Sequence, residues 1–141
     1  MIRRATDDDV AAIVRLAAQL GGAVDGDGMA TRLKRVMAMA NHAVFVAESD
    51  DVPCGFAAAE HRLVLPFGEW VELTALVVDA GARRQHHGSQ LVAAVEAWAG
   101  RRGVPALRVR SSLSRETAHA FYPALGYDLL KTQHVYAKSL G

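Results

Sequence analysis

A single cysteine, Cys54, stands among 141 residues. An intrachain disulfide is therefore excluded, and a reducing, cytoplasmic setting fits. A chain of this length can bury a real core without disulfide or metal staples. No stretch approaches the roughly 20 apolar residues needed to span a bilayer. The opening MIRRATDDD is charged where a signal peptide would be apolar. Neither sign of charge dominates. Sixteen Lys and Arg against fifteen Asp and Glu leave +1, so no global field draws the chain to nucleic acid. Repeats, low-complexity tracts and coiled-coil heptads are also missing. These absences predict one soluble domain, residues 1–141, with no nucleic-acid or membrane partner.

What is present alternates between strand and helix patterns. Ile2 to Arg4 reads as a short strand. Thr6 and Asp9 resemble a capping box ahead of a helix whose face is Val10, Ile13, Val14, Ala17 and Leu20. GGAVDGDG reads as a connection, and Met29 to Met39 as a second helix with Leu33, Val36 and Met37 inward. Ala43 to Glu48, Cys54 to Leu63 and Trp70 to Val78 read as strands. Asp50, Asp51 and Pro53 supply the turn between the first two. In the third, strict alternation puts Glu72 on one face with Thr74, Leu76 and Val78. A helix starting near Gly88 shows Leu91, Val92, Val95, Trp98 and Ala99 on one side and stops at Gly103 and Pro105. Ala106 to Val109, a helix from Arg115 to Ala124, and a final strand through His134 to Ala137 complete a mixed three-layer α/β order. Trp70 to Val109 should form a parallel strand–helix–strand unit.

The segment VVDAGARRQHHGSQL, Val77 to Leu91, concentrates the chemistry. An apolar strand runs through a basic turn into a helix. Such a junction offers backbone N–H donors and positive charge together, which suits a phosphate or pyrophosphate. Arg83 and Arg84 supply charge, Gly88 allows close approach, and Ser89 adds a hydroxyl that can bind or cap. The alternative is a solvated basic loop. A second landmark, AHAFYPALGY, sets Tyr122 near the end of a short helix.

RRQHHGSQLV, following TALVVDAG, resembles the acetyl-coenzyme-A-binding motif of the GCN5-related N-acetyltransferases. That motif is Gln or Arg, two variable residues, Gly, one variable residue, then Gly or Ala. Arg83 takes its first position and Gly88 its last. His86 stands where the first glycine belongs, and if that position needs positive φ, histidine costs more than glycine there. SRETAHAFYPALGY resembles the same family's helix and strand near the cofactor thiol, and the opening IRRATDDDVAAIVRLAAQLG its first strand and helix. The resemblance implies a central mixed, splayed β-sheet flanked by helices. It implies acetyl-CoA lying against Leu76, Val77 and Val78. Arg83, Arg84, Gln85, His86, His87, Gly88, Ser89 and Gln90 would surround its pyrophosphate. An amine, of a small molecule or a protein, would attack the thioester directly.

Within that frame Tyr122 is the candidate general acid for the thiolate, or else a packing residue. Phe121 and Tyr127 read as its apolar support. Glu72 is the first candidate base, against a salt-bridge or substrate-binding role; Glu69, His61 and His119 are weaker ones. Cys54 reads as a small strand residue, and the six histidines lack metal-ligand spacing. Trp70 and Trp98 read as packing anchors, with an aromatic substrate platform at Trp70 as an alternative. Asp25, Asp27, Glu69 and Glu72 would attract a cationic amine, and HRLVLPFGEW would border its site. A homodimer through a sheet edge or the C-terminal region fits the sequence. The competing function is a CoA-binding regulatory or interaction domain without turnover.

Overall fold

The computed structural model describes residues 1–20, 28–110 and 116–141, with the backbone alone for 83–85 and 116–119. The connection expected over GGAVDGDG falls almost wholly outside them, as do Asp25 and Asp27. Two units are described separately, Met1–Arg110 and Ser111–Gly141.

In the first unit, β1 (Ile2–Arg4) leads through a 3₁₀ turn into α1 (Val10–Ala17). The anticipated capping box forms: Thr6 accepts from the Asp8 amide at 3.3 Å, and Asp9 accepts from the Thr6 amide at 2.8 Å. The same Asp9 is buried and takes two bonds from Arg3, at 2.7 and 2.8 Å, while Arg3 Nε also bonds Glu48. One guanidinium of β1 thus ties that strand to both the turn entering α1 and β2 (His42–Ser49). The Arg3 hydrogen bonds hold the Asp9 carboxyl below the usual range, against the opposing effect of burial.

Five strands pair in the order β1-β2-β3-β4-β5, with β3 spanning Val52–Val64, β4 Gly68–Val78 and β5 Leu107–Val109. Asp50 and Asp51, both at positive φ, turn β2 into β3. The first four strands are antiparallel neighbours, and β5 runs parallel to β4. α1 and α2 (Met29–Ala38) cover one face through Ile13, Leu16, Leu33, Val44, Val46, Phe56 and Val77. Leu16, absent from the expected α1 face, is fully buried there. The next residue along β3 from Phe56, Gly55, faces the other way, and a Cβ on it would lie 3.4 Å from Leu91 of α3 (His87–Arg101). Alternate residues therefore meet helices on opposite faces, giving the three layers expected. That Cβ would also lie 2.9 Å from the Val77 carbonyl, so the approach of β4 to β3 requires glycine.

β4 breaks the strict alternation. Ala58 pairs Ala75 and Ala59 pairs Leu73, leaving Thr74 as an extra residue. This bulge reverses the face assignment for everything beyond it. Glu72 shares its face with Ala75 and Val77, not with Thr74, Leu76 and Val78 as alternation predicts.

In the second unit, α4 (Glu116–Ala124) ends in a Schellman-type cap. Tyr127 N–H donates to the Tyr122 carbonyl at 3.1 Å and Gly126 N–H to Pro123 at 3.0 Å, with Gly126 at φ 93°. The final strand expected through His134 to Ala137 does not form. Residues 128–141 have no regular secondary structure and are exposed throughout, including Leu129, Val135, Tyr136 and Leu140. A strand needs a neighbour, and none of the described strands pairs with this segment.

Replacing Asp9 with Ala should cost about 3 kcal/mol, because it removes two of the charged bonds of Arg3, leaving only Glu48, and opens the capping box ahead of α1. Since Asp9 titrates lower folded than unfolded, its contribution is full above about pH 4 and is lost as pH falls through the folded value. Urea unfolding across pH 3 to 7 checks this: the wild-type advantage over the variant should shrink at the acid end.

Candidate active site

The expected cofactor strand lies where the sheet opens. β5 pairs β4 only at Val71–Leu107, Glu72–Arg108 and Leu73–Val109. Beyond that last rung, Thr74–Val78 has a strand neighbour only on the β3 side among the described residues. The bulge at Thr74 sits at the parting point. Val77 is buried against α1 and α2, while Leu76 and Val78 are half-buried.

β4 then enters a 3₁₀ turn, Ala80–Gln85, that includes the backbone of Arg83, Arg84 and Gln85; their side chains fall outside the described residues. His86 follows at φ 62° and ψ 18°, the left-handed conformation that would favour glycine. It links the turn to α3. Gln90 N–H closes on the His86 carbonyl at 3.1 Å, and Ser89 Oγ donates to the same carbonyl at 3.0 Å. The amides of Gly88 and Ser89 precede that first closure and lie in the opening turn of α3, where the helix dipole is positive. Ser89 therefore braces the turn rather than capping the helix. The side chain of His87 is buried, so His87 would meet a phosphate through its backbone. The helix starts at His87, one residue before its expected start.

The base candidates separate onto two faces. Glu72 pairs Glu60 and Arg108 across the sheet, on the face of α1 and α2. Its Oε1 accepts from Arg110 Nε at 3.1 Å, Trp70 Nε1 at 3.4 Å and Arg62 at 3.5 Å. Arg62 also pairs Glu60 at 3.2 Å, and Glu60 faces His42 at 3.3 Å. A charged lattice thus crosses β2, β3 and β4 to Arg110, just past β5. Its partners are distant in sequence, so strand reading alone missed it. Glu69 and His61 lie on the opposite face, with Val71 and Leu73. Arg102 Nε donates to His61 Nδ1 at 2.8 Å, which leaves Nε2 to carry the proton toward Glu69, also at 2.8 Å. Both ring nitrogens of His61 are engaged.

Trp70 and Trp98 are buried, and each carries an arginine on its ring: Arg108 at 3.8 Å over Trp70, Arg102 at 5.0 Å over Trp98. The Trp70 face is a platform for a guanidinium. Cys54 is buried and its thiol is pushed up by that burial, in keeping with a packing role. Among the described residues no group of three His, Cys, Asp or Glu could hold a metal ion.

In the second unit, Tyr122 is half-buried with Phe121 edge-on at 5.1 Å and Tyr127 at 6.1 Å. The α4 cap folds Tyr127 back onto Tyr122, which explains the aromatic after Gly126. The side chain of His119 falls outside the described residues.

A model of the acetyltransferase (GNAT) family matches residues 10–127. The chain belongs to that family. It is similar over 99% of its length to aminoglycoside N-acetyltransferase AAC(6')-Iy bound to the bisubstrate analogue CoA-S-monomethyl-acetylneamine, at 24% identity, TM-score 0.89 and 97% of that chain. It is similar over 100% of its length to aminoglycoside 6'-N-acetyltransferase AAC(6')-Ih from Acinetobacter baumannii, at 19% identity, TM-score 0.87 and 99% of that chain. A transcriptional regulator from Bacillus halodurans matches over 99% of this chain and 97% of its own, at 24% identity and TM-score 0.80. At these identities the likeness is one of fold. No curated protein sequence matches the chain.

The left-handed conformation at His86 carries roughly 1 kcal/mol of strain for a residue with a Cβ. His86→Gly is expected to melt at or above the wild-type temperature, and His86→Val below it. Differential scanning calorimetry gives the order directly.

Proposed function

We propose that the protein transfers the acetyl group of acetyl-CoA to an amine, with its two units working as one catalytic domain. The observation that carries this is the end of β4. It loses β5 after Leu73 and runs through a basic turn into the first turn of α3. A thioester arm can add to a strand edge, and a pyrophosphate can rest on helix amides. Leu76, Val77 and Val78 would hold the arm. The turn Arg83–His86 and the amides of His87, Gly88 and Ser89 would hold the phosphates. Gln90 contributes less than its neighbours, because its amide already bonds His86.

Acetyl-CoA supplies an activated acetyl thioester when bound. The amine attacks as the free base, a new C–N bond forms, and the C–S bond breaks. Tyr122 donates its phenolic proton as the thiolate departs. Glu72 is assigned a positioning role: its carboxylate aligns Arg62, Arg110 and Trp70 on the acceptor side, and solvent takes the ammonium proton. The acceptor is a small molecule or a protein amine. No helix among the described residues is long and apolar enough to cross a membrane. A cytoplasmic site of action fits the single buried thiol and the cofactor.

Acetyl-CoA turnover with a panel of amines, read as CoA release and acetylated product by mass spectrometry, tests the reading. Product requiring both enzyme and amine supports it. CoA binding without turnover supports a regulatory domain instead. Tyr122→Phe should lower kcat about a hundredfold with little change in the KM for acetyl-CoA.

We also propose a homodimer. The exposed C-terminal segment carries Leu129, Leu130, Val135, Tyr136 and Leu140, side chains that a solvated tail would lack. A second copy would cover them. Light scattering after size exclusion should return twice the 15.1 kDa chain mass. Val135→Asp with Tyr136→Asp should shift it to the monomer.

A further inference from the structure

The lattice around Glu72 has one arginine to spare. Glu60 is taken by His42 and Arg62, and Glu72 by Arg62, Arg110 and Trp70. Arg108 has no hydrogen-bond or ion-pair acceptor among the described residues; its guanidinium rests 3.8 Å over the buried Trp70 ring. It is half-buried. A guanidinium in that position is held by stacking while its five N–H donors remain available in a planar fork. Solvation alone explains such an arginine poorly. A fully exposed one would satisfy its donors with water, whereas this one is held against an apolar plate beside two carboxylates that bond other residues.

Its place in the sheet gives the arrangement meaning. Arg108 pairs Glu72 on the rung just before the last one joining β4 to β5. It therefore stands at the mouth of the opening where the thioester is expected, on the face of α1 and α2. Three arginines, 62, 108 and 110, meet two carboxylates there. Counting these arginines against these carboxylates leaves one positive charge in excess. That balance opposes a polycation and favours an acceptor with an anion near its amine. We propose that Arg108, seated on Trp70, is the subsite for a carboxylate on the amine acceptor. The acceptor class is then an amine that bears a carboxylate, such as a free amino acid, held by a bidentate Arg108 contact. The proposal rests on the transferase reading for its place in catalysis, though the anion site stands on the geometry of Arg108 alone.

Four acceptor pairs that differ by one carboxylate test it: lysine and cadaverine, arginine and agmatine, histidine and histamine, tyrosine and tyramine. In whichever pair turns over, kcat/KM should favour the acid. Arg108→Met should cut that preference about tenfold to a hundredfold, mostly through KM, and Arg108→Lys should recover part of it. A merely structural role would lower both members of a pair equally and leave the ratio unchanged, which would overturn the subsite. So would a wild-type preference for the decarboxylated member. If no amine turns over, the transferase reading fails by itself, and calorimetric titration of the CoA-loaded protein decides the subsite. Binding of an acid but not its amine, lost in Arg108→Met, sustains it; no acid binding overturns it.

Discussion

Between Leu73 and Ala75, β4 holds one residue more than β3 can pair. An inserted residue forces a local kink and added twist, and β4 parts from β5 at that point. β5 pairs β4 no further than Leu73, and among the described residues the end of β4 is left with one strand partner. The rest of the site follows from this release. The freed edge lies beside the turn into α3. The residues on the near side of the kink, Glu72 and Trp70, remain clamped in regular sheet. The proposed cofactor edge and the proposed acceptor wall thereby share one strand, and the bulge divides them.

The turn beyond β4 shows the opposite economy. His86 occupies a conformation that suits glycine, and its carbonyl receives both the Gln90 amide and the Ser89 hydroxyl. Two bonds onto one carbonyl fix the angle at which α3 begins. The local strain is of order 1 kcal/mol, comparable to one hydrogen bond, so the brace can sustain it. A strained turn held from both sides keeps the Gly88 and Ser89 amides in a set direction before any anion arrives.

Local features were legible in the sequence, and features that join distant segments were not. The Thr6–Asp9 box, the Asp50–Asp51 turn and the stop at Gly103 depend on neighbours within a few residues, and all three are present. Every helix and the first five strands lie where periodicity places them, within a few residues. Face assignments past Thr74 reversed because a bulge leaves no mark in an alternating pattern. Leu16 escaped the α1 face because a helix against a sheet buries a wider stripe than the narrow seam read from the spacing. The strand expected near His134 has β-forming residues, and propensity alone cannot supply a pairing partner. Of the candidate site, the basic turn into α3 was visible as a motif, and Tyr122 remains a candidate from its own motif. The bonds from Arg62 and Arg110 to Glu72 were invisible, since they span 10 and 38 residues.

Those long-range bonds change what Glu72 can be asked to do. Oε1 already receives three donors, so any lone pair offered to an incoming ammonium would have to come from Oε2. Protonating Glu72 would leave Arg62 and Arg110 facing each other without their shared anion, at the mouth of the opening. The cost of that step falls on the whole lattice rather than on one side chain. Anchoring the arginines demands only that Glu72 keep its charge. Directing the acceptor with fixed charges, and leaving proton removal to water, is the division of labour this geometry supports. On the proposed reading the same fixed charges select the amine, because an acceptor complements an arginine-rich wall before its nitrogen reaches the thioester.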